Sequence, residues 1–514
     1  MIAAELIKRG ARYYPNETAV IFENHKLTFM EVHKNSNRLA NVLFQLGLEK
    51  GDRISFLLAN SMHSVEIDFA MLKSGFVRVP LNTRLSAEEH FHMITETDSK
   101  AILFTEEFAC RVAELRPRLS AVSLFCQIDG LAKYEWITPI YEEMQTASDE
   151  DPLVSLSEED YATLQYTSGT TGKLKAAIHT QESWAAMATN ILSTLPIKKG
   201  DIMMHAAPLT HATGVLVLPH WLRGAANAIL PAFQPQEFLQ AVDTIKPTTL
   251  NLVPTMIIML LSHPDAEKYS FDSVRSLIYG ASPMPREALK RGIELWGPKF
   301  IQYFGQTEAP LLLTTLDIED HILAIENEEY YDRLLSCGRP TVTTEVKIVN
   351  EAGEEVPENE IGEIVVSSSQ AMVGYWKEEE LTAETIKGKW IFTRDMGYLD
   401  NDGYVFMVDR KSDMIISGGF NIYPREVEDV LYKHPAVLEA AVVGVPDEKW
   451  VETVKAFVVL KKEHHATEEE LIDYCKQHLA PFKKPKYIEF IDTLPKSAVG
   501  KIVRRMLRKE ALKK

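Results

Sequence analysis

Between residue 52 and about residue 315, short apolar runs of strand length alternate with segments of helical periodicity. This alternation constrains the fold more than any other feature of the chain. Residues 54–58, 77–80 and 101–104 read as short strands, and 65–76 repeats its apolar residues at helical spacing. The pattern returns at 249–253, 276–279 and 300–303, each a strand candidate between helical segments. Strands that alternate with helices pack as a largely parallel sheet with helices on its faces. From about residue 338 the texture turns to β, with strand candidates at 345–349, 362–366 and 404–408 separated by turns such as Glu351-Ala352-Gly353 and Asn401-Asp402-Gly403. A compact α+β tail follows. Pro424 suits the first turn of a helix carrying Val427, Val430 and Leu431 on one face. Residues 439–445 and 454–460 read as strands, and Thr467 with Glu470 forms a capping-box pattern ahead of Leu471, Tyr474, Cys475 and His478. The expected architecture is a large N-terminal α/β domain, with layered sheets, helices and a β-rich part, and a small α+β C-terminal domain. The boundary falls near Arg410.

A length of 514 residues is too great for one ordinary core, in keeping with two domains. An apolar content of 46% with 25% charged residues is that of a soluble globular protein. The formal charge of −18 argues against a general nucleic-acid binder. Residues 476–514 nevertheless hold twelve Lys/Arg against three Asp/Glu; a solvated face is the plain reading of that tail and a polyanionic ligand the sharper one. Cys110, Cys126, Cys337 and Cys475 are scattered without a C-x-x-C, which suits a reducing compartment and no structural zinc. Residues 1–10 lack the apolar core of a signal peptide. The most apolar long run, 214–233, contains His220, Arg223 and two prolines, so no transmembrane segment and a cytoplasmic protein are expected.

The stretch Tyr166-Thr167-Ser168-Gly169-Thr170-Thr171-Gly172-Lys173-Leu174-Lys175 places two glycines and four hydroxyl side chains in six consecutive positions, closed by two lysines. Ala162, Leu164 and Tyr166 alternate with Thr163 and Gln165 as in a half-buried strand. A strand that runs into such a loop can turn backbone N–H groups and hydroxyls toward one anion. It is not a Walker loop, whose glycine spacing and Lys-Ser/Thr ending are absent. Five further stretches stand out. Tyr279-Gly280-Ala281-Ser282-Pro283 could bring bare backbone against a flat ligand. Gln302-Tyr303-Phe304-Gly305-Gln306-Thr307-Glu308 offers an aromatic face, a gap, a hydroxyl and a carboxylate. Thr393-Arg394-Asp395-Met396-Gly397 places one acid in a turn. Asp409-Arg410-Lys411-Ser412-Asp413 precedes Ser417-Gly418-Gly419-Phe420-Asn421, and Pro495-Lys496-Ser497-Ala498-Val499-Gly500-Lys501 lies near the end of the sequence.

In this order the motifs, from Thr167 to Lys501, resemble those of the AMP-forming acyl-CoA synthetases, members of the adenylate-forming superfamily that includes luciferases and peptide-synthetase adenylation domains. The resemblance implies a large domain over 1–409, a hinge at 410–412 and a small mobile domain over 413–514. It also implies activation of a carboxylate by ATP to an acyl-adenylate with release of pyrophosphate, then transfer to CoA, with Mg²⁺ as cofactor. Thr167, Ser168, Gly169, Thr170, Thr171, Gly172 and Lys175 would hold the β- and γ-phosphates. Glu308 would ligate Mg²⁺ with Thr307 near the α-phosphate. Gly280, Ala281, Ser282 and Phe304 would surround adenine, with Gln302, Tyr303, Gly305 and Gln306 also at the nucleotide. Asp395 would accept from the ribose hydroxyls, Arg410 would reach the ribose, and Lys501 would bridge the substrate carboxylate and the α-phosphate. Gly418, Gly419 and Phe420 would line the CoA tunnel. His211 and Gly305 would line the acyl pocket, where Gly305 stands in place of the Trp of acetate-specific relatives, its missing side chain facing the acyl chain.

The implied substrate is a medium- or long-chain fatty acid or a comparable apolar acid. An aryl acid, a carrier-protein thiol as acceptor, an acyl-adenylate oxygenase and a non-catalytic nucleotide-binding protein are the alternatives. The family's Pro-Lys-Gly is replaced by Leu174-Lys175-Ala176, which suggests that no left-handed backbone is needed at 176. Ser412 stands where the family commonly has Asp or Lys, and Asn421 where acetate-activating relatives have Arg. Partners are then small molecules rather than nucleic acid, and the sequence leaves a homodimer open.

Overall fold

The computed structural model describes residues 1–168, 174–418, 420–447, 449–496 and 502–511, with Ser168 described by its backbone alone. The chain divides into two compact units, Met1–Val346 with Val366–Ile391, and Lys347–Val365 with Phe392–Lys514.

The first unit is built on two sheets. Among the described residues one has nine strands, in the order Arg339–Pro340, Ala309–Leu316, Phe300–Gln306, Ser276–Gly280, Thr249–Leu252, Ile202–His205, Ala226–Ile229, Thr18–Phe22 and His25–Thr28. The other has eight, in the order Gly374–Tyr375, Leu174–Thr180, Tyr161–Ser168, Val77–Pro80, Arg53–Leu57, Ala101–Phe104, Leu124–Gln127 and Thr138–Pro139. Their central pairings are parallel, as alternating strands and helices require, and antiparallel pairs gather toward the edges. The four residues of Ala101–Phe104 are all buried, which is why the strand reads as an unbroken apolar run. Helix starts are set by reciprocal caps: Thr28 with Glu31, Ser86 with Glu89 and Thr180 with Ser183. Helix Ser64–Ser74 stops at Gly75, whose φ of 73° carries the chain into strand Val77–Pro80. The apolar core centres on Trp221, packed on Phe29 and Phe69 with its indole N–H donated to the Ile7 carbonyl at 2.8 Å.

The second unit pairs Val437–Asp447 antiparallel with Val451–Leu460 and adds Tyr487–Phe490 parallel to the latter. Helices Pro424–Tyr432 and Glu468–His478 cover this sheet, the second capped by Thr467 and Glu470 as the sequence expects. Arg504, on helix Arg504–Ala511, clamps the unit: it donates to Glu428 at 2.7 and 3.2 Å and to Asp413 at 3.2 Å, and lies 3.6 Å from Asp409. The protein therefore has a large α/β N-terminal domain and a smaller C-terminal domain with antiparallel pairing. No helix of the described residues is long and apolar enough to cross a membrane.

Candidate active site

Lys175 lies at the start of strand Leu174–Thr180, paired with Thr167 of Tyr161–Ser168, so the two strands hold both ends of residues 169–173. Ala176 pairs with Tyr166 in extended backbone, and its φ is not among the positive values, in line with its replacing glycine. Glu308 follows strand Phe300–Gln306 in the turn that leads into Ala309–Leu316. Two contacts fix that turn: Met372 donates its N–H to the Glu308 carbonyl at 2.7 Å, and His179 Nε2 lies 2.8 Å from the Thr307 carbonyl. Burial pushes His179 down to about 4, so its ring is neutral with the proton on Nε2.

The two side chains meet through a third. Lys175 Nζ donates to the Tyr375 hydroxyl at 2.8 Å, and that hydroxyl donates to Glu308 Oε1 at 2.6 Å. Lys175 and Glu308 are only 3.7 Å apart, each with 10% of its side chain exposed. The structure brings Lys175 and Glu308 together, with Thr307 beside Glu308 in the turn, and adds Tyr375, which the sequence motifs do not include. Its only sequence signal is Gly374-Tyr375-Trp376, a short aromatic run far from both partners.

Strand Phe300–Gln306 carries several of the other first-unit candidates. Tyr303 and Phe304 are buried, and burial raises the Tyr303 hydroxyl to about 12, so it is a neutral donor. Gln302 Oε1 and Gln306 Nε2 are buried without a hydrogen-bond partner among the described residues. Gly305 sits in a bulge between Phe304 and Gln306, opposite Leu311, whose φ is 53°. A Cβ on Gly305 would come within 2.4 Å of the Leu311 carbonyl oxygen and 2.7 Å of its nitrogen. The expectation that the missing side chain faces the acyl chain is thus corrected: it faces the backbone of the neighbouring strand, and glycine stands here because that strand lies against it. Gly280 has a similar reason, since its Cβ would meet the Tyr303 carbonyl at 2.3 Å. Ala281 follows in left-handed backbone (φ 67°), with Ser282 half-buried. His211 precedes the short helix Ala212–Leu216. Burial, with Arg84 adding to it, pushes His211 down to about 4, and its Nε2, like Thr210 Oγ1, has no partner among the described residues.

In the second unit, Asp395 and Arg410 sit opposite each other on paired strands, with Arg410 Nε 2.6 Å from a carboxylate that is fully buried. The two residues that the resemblance puts on the ribose therefore contact one another. Gly418 (φ 58°) packs under Trp450, whose ring a Cβ would meet at 2.6 Å, and Phe420 stacks on Phe482 with centroids 4.5 Å apart. Gly169, Thr170, Thr171, Gly172, Gly419, Lys501 and the Ser168 side chain lie outside the described residues.

The described residues contain no cluster of three metal-ligating side chains. A single carboxylate suits a hard cation that arrives with a polyphosphate and keeps phosphate and water oxygens as its other ligands. The Tyr375 hydroxyl donates to Glu308 at Oε1, and the Lys175 ammonium faces that same oxygen from 3.7 Å, which leaves the carboxylate able to take such a cation.

Comparison with known proteins identifies the family. A model of the AMP-binding enzyme family matches residues 7–376, and one of the AMP-binding enzyme C-terminal domain matches 426–501. The chain is 35% identical to a feruloyl-CoA synthase of Amycolatopsis sp, covering 98% of this chain and 97% of that one. It is 33% identical to a long-chain-fatty-acid–CoA ligase of Bacillus subtilis, covering 98% and 94%. The solved o-succinylbenzoate CoA synthetase of Bacillus subtilis, in complex with its acyl-adenylate intermediate, superposes with a TM-score of 0.84 at 32% identity, over 98% of this chain and 97% of that one.

Proposed function

We propose that this chain, which belongs to the AMP-binding enzyme family and is an AMP-forming acyl-CoA synthetase, acts on a medium- or long-chain fatty acid or a comparable apolar acid. The observation that carries the nucleotide part of this reading is the buried contact of Lys175, Tyr375 and Glu308 at the end of the strand bearing Phe304 and Gly305. A carboxylate is a poor electrophile, because its charge repels nucleophiles and oxide does not leave. Bringing it against polyanionic ATP calls for charge neutralisation and fixed geometry more than for proton transfer. Lys175 and the loop it closes neutralise the β- and γ-phosphates, and Glu308 holds Mg²⁺, which supplies positive charge at the phosphates. Thr307 lies toward the α-phosphate, and Lys501 joins the acid to it. Phe304, with Gly280, Ala281 and Ser282, receives adenine. Asp395 with Arg410 receives the ribose. A carboxylate oxygen attacks the α-phosphorus as the bond to the bridging oxygen breaks and pyrophosphate leaves. The CoA thiolate then attacks the acyl carbon beside Gly418, Gly419 and Phe420, and AMP departs. We retain 1–409, 410–412 and 413–514 as the functional division.

Support for an apolar acid comes from the fatty-acid ligase among the relatives. One observation favours an aryl acid as the second reading. Thr210 Oγ1 and His211 Nε2 are buried without partners among the described residues, and a ring substituent that can hydrogen bond would satisfy them. The test is acid-dependent pyrophosphate release over octanoate, palmitate, benzoate and hydroxylated cinnamates, with and without CoA. Preference for the aliphatic acids supports the first reading, turnover of aryl acids alone replaces it with the second, and release with none of them overturns both.

A further inference from the structure

Tyr375 is placed by strand pairing. The two-residue strand Gly374–Tyr375 runs antiparallel to Leu174–Thr180 with Tyr375 opposite Ala177, and Ala177 and Lys175 share one face of their strand. The phenol ring therefore lies over the lysine, its centroid 4.1 Å from Nζ. Tyr375 is 4% exposed, and Thr382 Oγ1 accepts its N–H at 2.8 Å, so its position is set by packing and by backbone. An ammonium can only donate and a carboxylate only accept. A hydroxyl between them can do both at one oxygen, and the distances of 2.8 and 2.6 Å show it doing so. Hydrogen bonds to charged groups are about twice as strong as neutral ones, so both contacts restrain their partners firmly.

We propose that Tyr375 is a positioning residue for the nucleotide and its cation. This rests on the assignment of Lys175 and Glu308 made above. By taking Oε1, the hydroxyl sets the carboxylate so that its other oxygen is presented to the divalent cation. By accepting from Lys175, it holds the ammonium off the carboxylate until the polyphosphate claims it. Without the hydroxyl, the 3.7 Å separation between Lys175 and Glu308 can close into a direct ion pair. That pair competes with the cation for Glu308 and with phosphate for Lys175.

The experiment compares wild type, Tyr375→Phe and Glu308→Gln. Calorimetry gives the Kd of a non-hydrolysable ATP analogue in saturating Mg²⁺ and in EDTA, and the ratio of the two Kd values isolates the contribution of the cation. Loss of an outer partner of a metal ligand costs about tenfold to a hundredfold in metal affinity. Tyr375→Phe is accordingly expected to shrink the ratio by about tenfold, with the KM for the acid and the Tm near wild type, which a merely structural role would not produce. A wild-type ratio in Tyr375→Phe together with a collapsed ratio in Glu308→Gln overturns the role of Tyr375 alone. A wild-type ratio in both variants overturns the metal assignment of Glu308 and with it this proposal. Should Tyr375→Phe be recovered only as aggregate, 3-fluorotyrosine at position 375 of the otherwise native chain reads the same contact. Its fluorine resonance is expected to shift when Mg²⁺ is added to the analogue complex, and an unmoved resonance overturns the proposal.

Discussion

Gly305→Ala is the substitution whose outcome the geometry determines most sharply. The added methyl would sit 2.4, 2.7 and 2.8 Å from the O, N and C of Leu311. An ordinary contact needs about 3.5 Å, so the two strands must part by about 1 Å. Neither partner is a flexible side chain, and Leu311 is already in left-handed backbone. Overpacking of this kind costs about 1–3 kcal/mol, a fall in Tm of a few degrees at most for a chain of this size. The larger effect is on catalysis, because Thr307 and Glu308 follow directly in the turn, and misplacement by about 1 Å can cost about a hundredfold in rate. The assay is pyrophosphate release against acid chain length at saturating ATP and CoA, with Tm alongside. Gly305→Ala is expected to lower kcat/KM by about a hundredfold for propionate and palmitate alike. Full activity on propionate with loss on palmitate alone would show that the position faces the acyl chain and refute the reasoning from Leu311.

Three further outcomes follow from particular contacts. Burial holds His179, His205, His220 and His321 at about 4, against 6.5 when unfolded. Their contribution to stability is complete above about pH 6.5 and lost as pH falls toward 4, at about 1.4 kcal/mol per pH unit for each histidine. Urea midpoints should therefore drop steeply between pH 6.5 and 5, and a flat profile would contradict neutral burial. Arg504→Met leaves Glu428 and Asp409 without their shared cation and should destabilise the second unit by about 3–5 kcal/mol, seen as an early unfolding step that a wild-type melting profile would contradict. Lys501→Ala should abolish acid-dependent pyrophosphate release yet spare thioester formation from supplied acyl-adenylate, and equal loss of both half-reactions would remove that division of labour.

Much of the architecture is legible in the sequence because buried parallel strands are short and mostly apolar. Residues 77–80 and 101–104 match their strands at both ends, and the Thr467–Glu470 cap is where the pattern puts it. Strand 300–303 is read too short, since its continuation to Gln306 depends on pairing with Ala309–Leu316 rather than on its own apolar content. The site divides in the same way. Local motifs locate Lys175, Thr307 and Glu308, whose spacing within each segment is a property of the chain itself. The use of Gly305 and Gly280 could not be read, because the atoms that forbid a side chain belong to Leu311 and Tyr303 across the sheet. Tyr375 stayed hidden for a related reason: 67 residues separate it from Glu308, and only the Tyr375–Ala177 register brings them together.

The central claim is that a carboxylate oxygen attacks the α-phosphorus of ATP, and the fate of that oxygen tests it directly. Turnover of an acid carrying ¹⁸O in both carboxylate positions, with ATP and CoA, should give AMP containing one ¹⁸O and unlabelled pyrophosphate. AMP without label, or label in orthophosphate released with ADP, would contradict adenylation and the function built on it.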